Sequence, residues 1–311
     1  MYTNSIGDAA LNKAVVQKLK NSWNSRVAVR KQRLDLAQYY DPAIPDFPVH
    51  MVQFWNDEAF KSVDERTRLR LLAGAWIMYN EKTIYIEDKI INPACQLLLR
   101  DELPGVCDPD VKEVIAQTIV DEQFHILMCL EVCNNARERH QLHGLTIVTP
   151  LLIERADSVT REAEMRGEVA LARMAYALVA EMTINTYLKA LSADTSIQPL
   201  NRINTDMHRQ DEAAHSTLFR ELGASVYRSL NSHQAQIFKG YIRRALNDFT
   251  EPDNSGWVAI LKYLHIPQAG QIITCLEEKT KGTRLPRNYS AFKGLLDELG
   301  LTGEISAELS A

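Results

Sequence analysis

The sequence predicts an all-α protein with a four-helix bundle at its centre. Three observations carry that prediction. Apolar residues recur at helical spacing along most of the 311 residues, and alternating strand patterns are scarce. Thirteen glycines and eleven prolines are few for this length and leave room for long uninterrupted helices. A pentad of the form Asp-Glu-x-x-His occurs twice within helical stretches, as DEQFH at 121–125 and DEAAH at 211–215.

The spacing gives an opening helix over about Ala9 to Trp23, then a basic amphipathic helix over about Ser25 to Tyr39. DPAIPDFPVH, from Asp41, holds three prolines and is a loop. The first long helical stretch covers about 64–100, with Pro93 expected to bend or break it near Asn92. DELPGVCDPD is a turn ahead of a second long helix, about 109–138. QLHGLTIVTP connects to a third, about 158–191. SADTSIQP is a short loop in which Ser196 is placed to cap a fourth helix, about 199–222, and Gly223 is placed to end it. Two or three helices follow to about Lys281, and one short helix is expected near Ser290 to Leu299. No low-complexity segment or linker divides the chain, so residues 1–311 read as a single domain.

A hydrophobic fraction of 46% with 24% charged residues fits a folded soluble protein. The net charge of −5 and pI near 5.9, with no clustered basic face, argue against a nucleic-acid partner. The basic stretch from Arg26 to Arg33 is mixed with apolar residues and reads as a solvated helix face. The most apolar stretch, Val169 to Leu191, contains Arg173, Glu181 and Lys189. It reads as a buried bundle helix, not a membrane span. The opening MYTNSIGDAA lacks the basic start and apolar core of a secretory signal. Five cysteines form no CxxC pair and are expected as free thiols in a reducing cytoplasm, with Cys129 and Cys133 as packing residues.

The chemistry lies in the pentads. Each sets a Glu and a His three residues apart, on one side of a helix. In carboxylate-bridged di-iron bundles two helices each give Glu-x-x-His and the other two each give a lone Glu. Glu122 and His125 form one such pair, and Glu212 and His215 the other. Glu87 lies in the helix before the first pentad, and Glu181 in the helix before the second, within YALVAEMTINTYL. A carboxylate among Ala, Leu, Val and Met is costly to bury unless it is paired or bound to a metal. His208 precedes Glu212 by four residues and His215 by seven, so the three fall within roughly 60° on one helix. Imidazole with carboxylate suits iron or manganese. Asp121 and Asp211 point about 100° away from the adjacent glutamates, and each is placed to brace the histidine of the opposite pentad. Taken singly, each of these residues also reads as a solvated or ion-paired side chain. The joint pattern and its order favour the metal.

The spacing Glu87, Glu122, His125, Glu181, His208, Glu212, His215 resembles the AurF-type diiron arylamine N-oxygenases, a ferritin-like group. The resemblance spans about Trp76 to Leu222, and the histidine one turn before the last Glu-x-x-His, here His208, is its most particular feature. It implies two iron ions that activate O₂ as a peroxo-diferric species. It further implies oxidation of an aromatic amine to a hydroxylamine, nitroso or nitro product, an external electron donor (a reductase or a small reductant), a homodimer, and a place in natural-product biosynthesis. Family members that take an aminobenzoate hold its carboxylate with an arginine five residues before the first Glu. The matching position here is Lys82, which keeps the charge and loses the bidentate fork; a surface ion pair is its other reading. Tyr79 is a second candidate for lining a substrate pocket.

Other readings keep the scaffold and change the chemistry. A diiron hydroxylase would oxidise carbon on the same ligands. A ferroxidase or storage subunit would need little beyond the bundle, whereas this chain extends well past it on both sides. A radical-generating subunit would need a tyrosine beside the metals. A helical interaction protein would carry the pentads by accident.

Overall fold

The computed structural model describes residues 11–31, 35–285 and 288–309, and among these the chain is helical with no strand. Helix α1 spans Lys13–Arg26 and the short α2 spans Glu58–Lys61. The bundle begins with α3, Glu65–Ile86, which runs through a π-helical turn, Glu87–Ile91, into α4, Asn92–Leu99. It continues with α5, Pro109–His140; α6, Leu151–Glu164; α7, Val169–Ala193; and α8, Pro199–Ser229. Then come α9, Ser232–Thr250; α10, Ser255–Tyr263; α11, Ala269–Thr280; α12, Ser290–Glu298; and α13, Thr302–Leu309.

Helices α3, α5, α7 and α8 form the bundle, with α3 on α5 and α7 on α8 as its closest pairs. Helix α9 packs on α7, α10 on α3, and α1 lies across α5 and α8. Asp64 caps α3 by accepting from Thr67 N–H, and Asp108 caps α5 by accepting from Asp110 N–H. On α8, Leu218, Phe219 and Leu222 are buried in the core, each worth about 1.5–3 kcal/mol.

The structure departs from the sequence expectations in six places. The helix expected over about Ser25 to Tyr39 is instead two 3₁₀ turns, Ala28–Arg30 and Leu36–Tyr39, with 32–34 outside the described residues. Helix α1 ends because Val27 turns extended, and the Ala28 N–H donates to the Asp211 carboxylate at 3.1 Å. The part of the expected opening helix before Leu11 also lies outside the described residues.

The stretch around Pro93 does not break. One extra residue in the π turn, closed by the Asn92 N–H on the Glu87 carbonyl, carries the helix past a proline that cannot donate. The expected helix over 158–191 is two helices. The Glu168 N–H donates to the Ala163 carbonyl at 2.9 Å around Gly167, whose φ of +71° is the left-handed turn that ends α6. Gly223 does not end α8. A Cβ there would lie 2.8 Å from Leu178 Cδ1, so the glycine is a close approach between α8 and α7.

Ser196 does not cap α8 either; its hydroxyl donates to Asp194 at 2.6 Å, and Gln198 stands at the N-cap. The tail adds α13, which periodicity alone did not separate from the end of the chain. No helix among the described residues is long and apolar enough to cross a membrane.

Candidate metal centre

Four bundle elements meet at one buried point. Glu87 comes from the π turn, Glu122 and His125 from α5, Glu181 from α7, and His208, Glu212 and His215 from α8, and all seven are buried. The π turn matters here because it places Glu87 one residue out of ordinary helical register, at a site of this sort where such bulges concentrate.

Donor atoms of Glu122, His125, Glu212 and His215 lie within 4.8 Å of one another, and so do those of Glu87, His125 and His208. One oxygen, Glu212 Oε1, faces three imidazoles: His208 Nε2 at 3.2 Å, His215 Nδ1 at 3.3 Å and His125 Nδ1 at 3.4 Å. Glu122 Oε1 lies 2.8 Å from His215 Nδ1, and Glu87 Oε1 lies 3.2 Å from His208 Nε2. The His125 and His208 rings stack with centroids 4.1 Å apart. Glu181 stands beside this set, outside both donor groups, with both carboxylate oxygens buried and making no hydrogen bond.

The two aspartates cross between the pentads. Asp211 Oδ2 lies 3.1 Å from His125 Nε2, and Asp121 Oδ2 lies 3.2 Å from His215 Nε2. A carboxylate only accepts, so in the neutral imidazole each aspartate draws the Nε2–H toward itself and leaves Nδ1 as a lone pair aimed inward. His125 Nδ1 then meets Glu87, Glu122 and Glu212 at 3.4–3.9 Å with no donor among them. Glu87 Oε2, Glu122 Oε1 and His125 Nδ1 are buried without a hydrogen-bond partner. Acceptors turned toward acceptors in a buried site are what a cation satisfies. The donor set fits a metal on this ground, and the buried carboxylates and imidazoles can hold a metal centre.

Protonation in the metal-free chain reports the same frustration. Burial, reinforced by the Glu122 charge, pushes the Glu87 carboxyl well up, and burial with Glu212 and Glu122 does the same to Glu181. Burial opposes the charged forms of His125 and His215. Their carboxylate neighbours outweigh it and hold both rings well above the usual imidazole range. Burial also works against the Glu212 carboxylate, yet His215 and His208 hold it well below the usual range. His208 is lowered by burial and by the His125 charge.

Two functional features were missed in the sequence. Trp23 Nε1 donates to Asp121 at 2.9 and 3.1 Å, and Arg26 Nη1 lies 3.4 Å from Asp211 beside the Ala28 amide. The N-terminal helix therefore closes both outer carboxylates. Their signal was faint: a Trp and an Arg three apart on one helix face, far in sequence from either pentad. Lys82 is half-buried on α3. The Tyr79 ring sits 5.5 Å from Trp76 and 5.4 Å from Tyr187, and its buried hydroxyl makes no hydrogen bond.

A helical bundle that buries four glutamates and three histidines around one point belongs to the carboxylate–histidine class of metal-site proteins. The chain belongs to the p-aminobenzoate N-oxygenase AurF family, whose sequence profile matches residues 10–300. It is 30% identical over 299 residues to the 4-aminobenzoate N-oxygenase of Streptomyces thioluteus, across 95% of this chain and 89% of that enzyme. The protein is an N-oxygenase.

Proposed function

We propose that this chain binds two iron ions through Glu87, Glu122, His125, Glu181, His208, Glu212 and His215, and uses O₂ to N-oxygenate an aromatic amine. The observation that carries the reading is the convergence of three imidazole nitrogens on Glu212 Oε1, beside buried lone pairs that no donor meets. Manganese would suit the same donors. Two ferrous ions held there would supply the reduction of dioxygen that N-oxygenation needs. The chain's own contribution is to keep the site dry, fix each imidazole tautomer through Asp121 and Asp211, and hold ligand geometry on rigid helices. Electrons come from outside the chain, from a reductase or a small reductant.

The amine is proposed to bind near α3, one to two turns before Glu87. Tyr79 supplies an apolar wall with an unsatisfied hydroxyl, and half-buried Lys82 on the same helix supplies a positive charge for an anionic substituent. The relative's substrate, 4-aminobenzoate, carries such a group. The flanking helices pack directly onto the bundle, which supports one domain over 1–311. A homodimer is supported by Val120, Leu127 and Leu130, each 44% exposed along α5. Free cysteines support a reducing, cytoplasmic setting.

The test is oxygen-18 labelling. Iron-loaded protein given ¹⁸O₂, a reductant and 4-aminobenzoate should place the label on nitrogen. Label on a ring carbon would replace this reading with a C-hydroxylase on the same scaffold. Ferrous oxidation with no organic product would replace it with a ferroxidase.

A further inference from the structure

We propose that the Trp23 indole, set in a basic patch formed by α1 and the turn after it, is where an acidic one-electron carrier protein docks and delivers electrons to the metal centre. The inference rests on the redox-metal reading above and adds the partner and the route.

The route is a chain of short contacts. Trp23 is half-buried, so one edge of the indole reaches the surface. Its Nε1–H donates to Asp121 at 2.9 Å, and Asp121 Oδ2 lies 3.2 Å from His215 Nε2. His215 Nδ1 then faces Glu122 and Glu212 at the centre. Electronic coupling falls off more slowly through bonds and hydrogen bonds than across gaps, and an indole is the largest and most polarisable side chain to place at the outer end. The other pentad lacks this arrangement. Asp211 is closed by the Arg26 guanidinium and the Ala28 amide, neither of which carries electrons.

The surface around the indole selects the partner. From Ala9 to Leu34 the chain has seven Lys and Arg and no Asp or Glu, although the whole protein carries −5. Arg30 is exposed, with its guanidinium 5.2 Å over the Trp23 ring. Lys31 is exposed beside it and donates to Gln210. Asp110 and Glu113 pair with Lys20, Glu221 accepts from the Asn12 amide, and Asp121 and Asp211 are buried beneath Trp23 and Arg26. Beside the indole itself, the exposed charges of Arg30 and Lys31 are positive. A positive patch over a conduit favours a negatively charged partner, through faster encounter and fixed orientation. In each encounter the reduced carrier loses one electron and the centre gains it. Two encounters take a pair of ferric ions to ferrous. No bond is made or broken, and the indole ends unchanged with its N–H on Asp121.

The test compares two donors by stopped-flow reduction of the oxidised, iron-loaded protein: a reduced plant-type [2Fe–2S] ferredoxin as the acidic carrier, and dithionite with methyl viologen as the small one. Trp23→Phe should slow ferredoxin-driven reduction at least about tenfold more than it slows viologen-driven reduction, with Trp23→Tyr recovering part of the ferredoxin rate. The double variant Arg30→Glu, Lys31→Glu, both exposed and away from the ligands, should raise the ferredoxin Kd by at least about tenfold, and the wild-type Kd should rise with salt. Equal ferredoxin rates in Trp23→Phe and wild type would overturn the proposal. So would equal slowing with both donors, since Trp23 would then act only on the shape of the centre, and so would an unchanged Kd in the charge-reversed variant. Duplex DNA bound as tightly as ferredoxin would make the patch a nucleic-acid surface and also overturn it. If neither donor reduces the wild type, the redox-metal reading itself fails. Reduction by viologen alone sinks only the docking proposal.

Discussion

Asp211, the residue just before Glu212 on α8, holds its carboxylate 3.1 Å from Nε2 of His125 on α5. Asp121 does the same for His215 in the opposite direction, at 3.2 Å. Each pentad thus orients the histidine of the other, and α5 and α8 are fixed against each other at the point where the metals are proposed to sit. Outer carboxylates of this kind hold a ligand's tautomer and raise its basicity. Asp211→Asn keeps the shape and removes the charge. It should weaken iron affinity by about 10–100-fold while leaving the helix content intact. Chelator competition, followed beside circular dichroism, checks this; an unchanged affinity would remove the role assigned to Asp211.

His208 is the third imidazole on Glu212 Oε1, and its ring stacks on His125. His208→Ala leaves six of the seven proposed donors. The protein should still load iron and keep its fold, while arylamine oxidation falls by at least about tenfold. Iron content and product yield, measured on the same preparation, separate the two effects. Full activity in His208→Ala would show that the third nitrogen is dispensable.

Stability of the metal-free chain should fall as pH rises. Glu87 and Glu181 have raised folded pKa values, so their neutral forms fit the fold below about 4.5, and the cost of ionising them grows as pH climbs above that. His125 and His215 are also raised, so their stabilisation is complete below about 6.5 and is lost as pH rises through the folded values. Glu212 is depressed, and its contribution is present above about 4.5 and lost only at lower pH. The Tm of metal-free protein should therefore drop between pH 6 and pH 9. Metal binding displaces the imidazole protons, so the gain in Tm on adding ferrous iron under argon should grow over the same range. A metal-free Tm that rises through this window would contradict the assigned directions.

Gly223 is a packing glycine. A methyl at that position would meet Leu178 Cδ1 at 2.8 Å and Cδ2 at 3.1 Å. Gly223→Ala should destabilise the protein by about 1–3 kcal/mol, read from denaturant unfolding. Gly240, by contrast, has open space around it, and Gly240→Ala should be neutral or slightly stabilising because alanine favours the helix. A neutral Gly223→Ala would mean that α7 and α8 separate more easily than their packing implies.

The parts of the molecule legible in the sequence are those written in local periodicity. The four bundle helices follow from apolar spacing, and the joint placement of the pentads with Glu87 and Glu181 follows from the 3.6-residue repeat. What the sequence hid was set by contacts between distant segments. Gly223 looks like a helix stop, yet its neighbour Leu178 makes it a close approach within a continuing helix. Gly167 carries no stop signal in the sequence because helical spacing continues on both sides, although its positive φ ends α6. The π turn at Glu87 leaves no mark in periodicity, since it shifts register by a single residue. Trp23, Arg26 and the Ala28 amide reach the site only because α1 folds back over α5 and α8, and the helix ends where its next amide is diverted to Asp211.

The central claim is that seven buried side chains hold two metal ions. Iron per chain, measured by elemental analysis after anaerobic reconstitution and removal of excess ferrous ion, tests it most directly. Two irons per chain are expected in the wild type, with marked loss in Glu212→Ala, which removes the oxygen that faces all three imidazoles. Fewer than one iron per chain in the wild type, or full loading in Glu212→Ala, would contradict it.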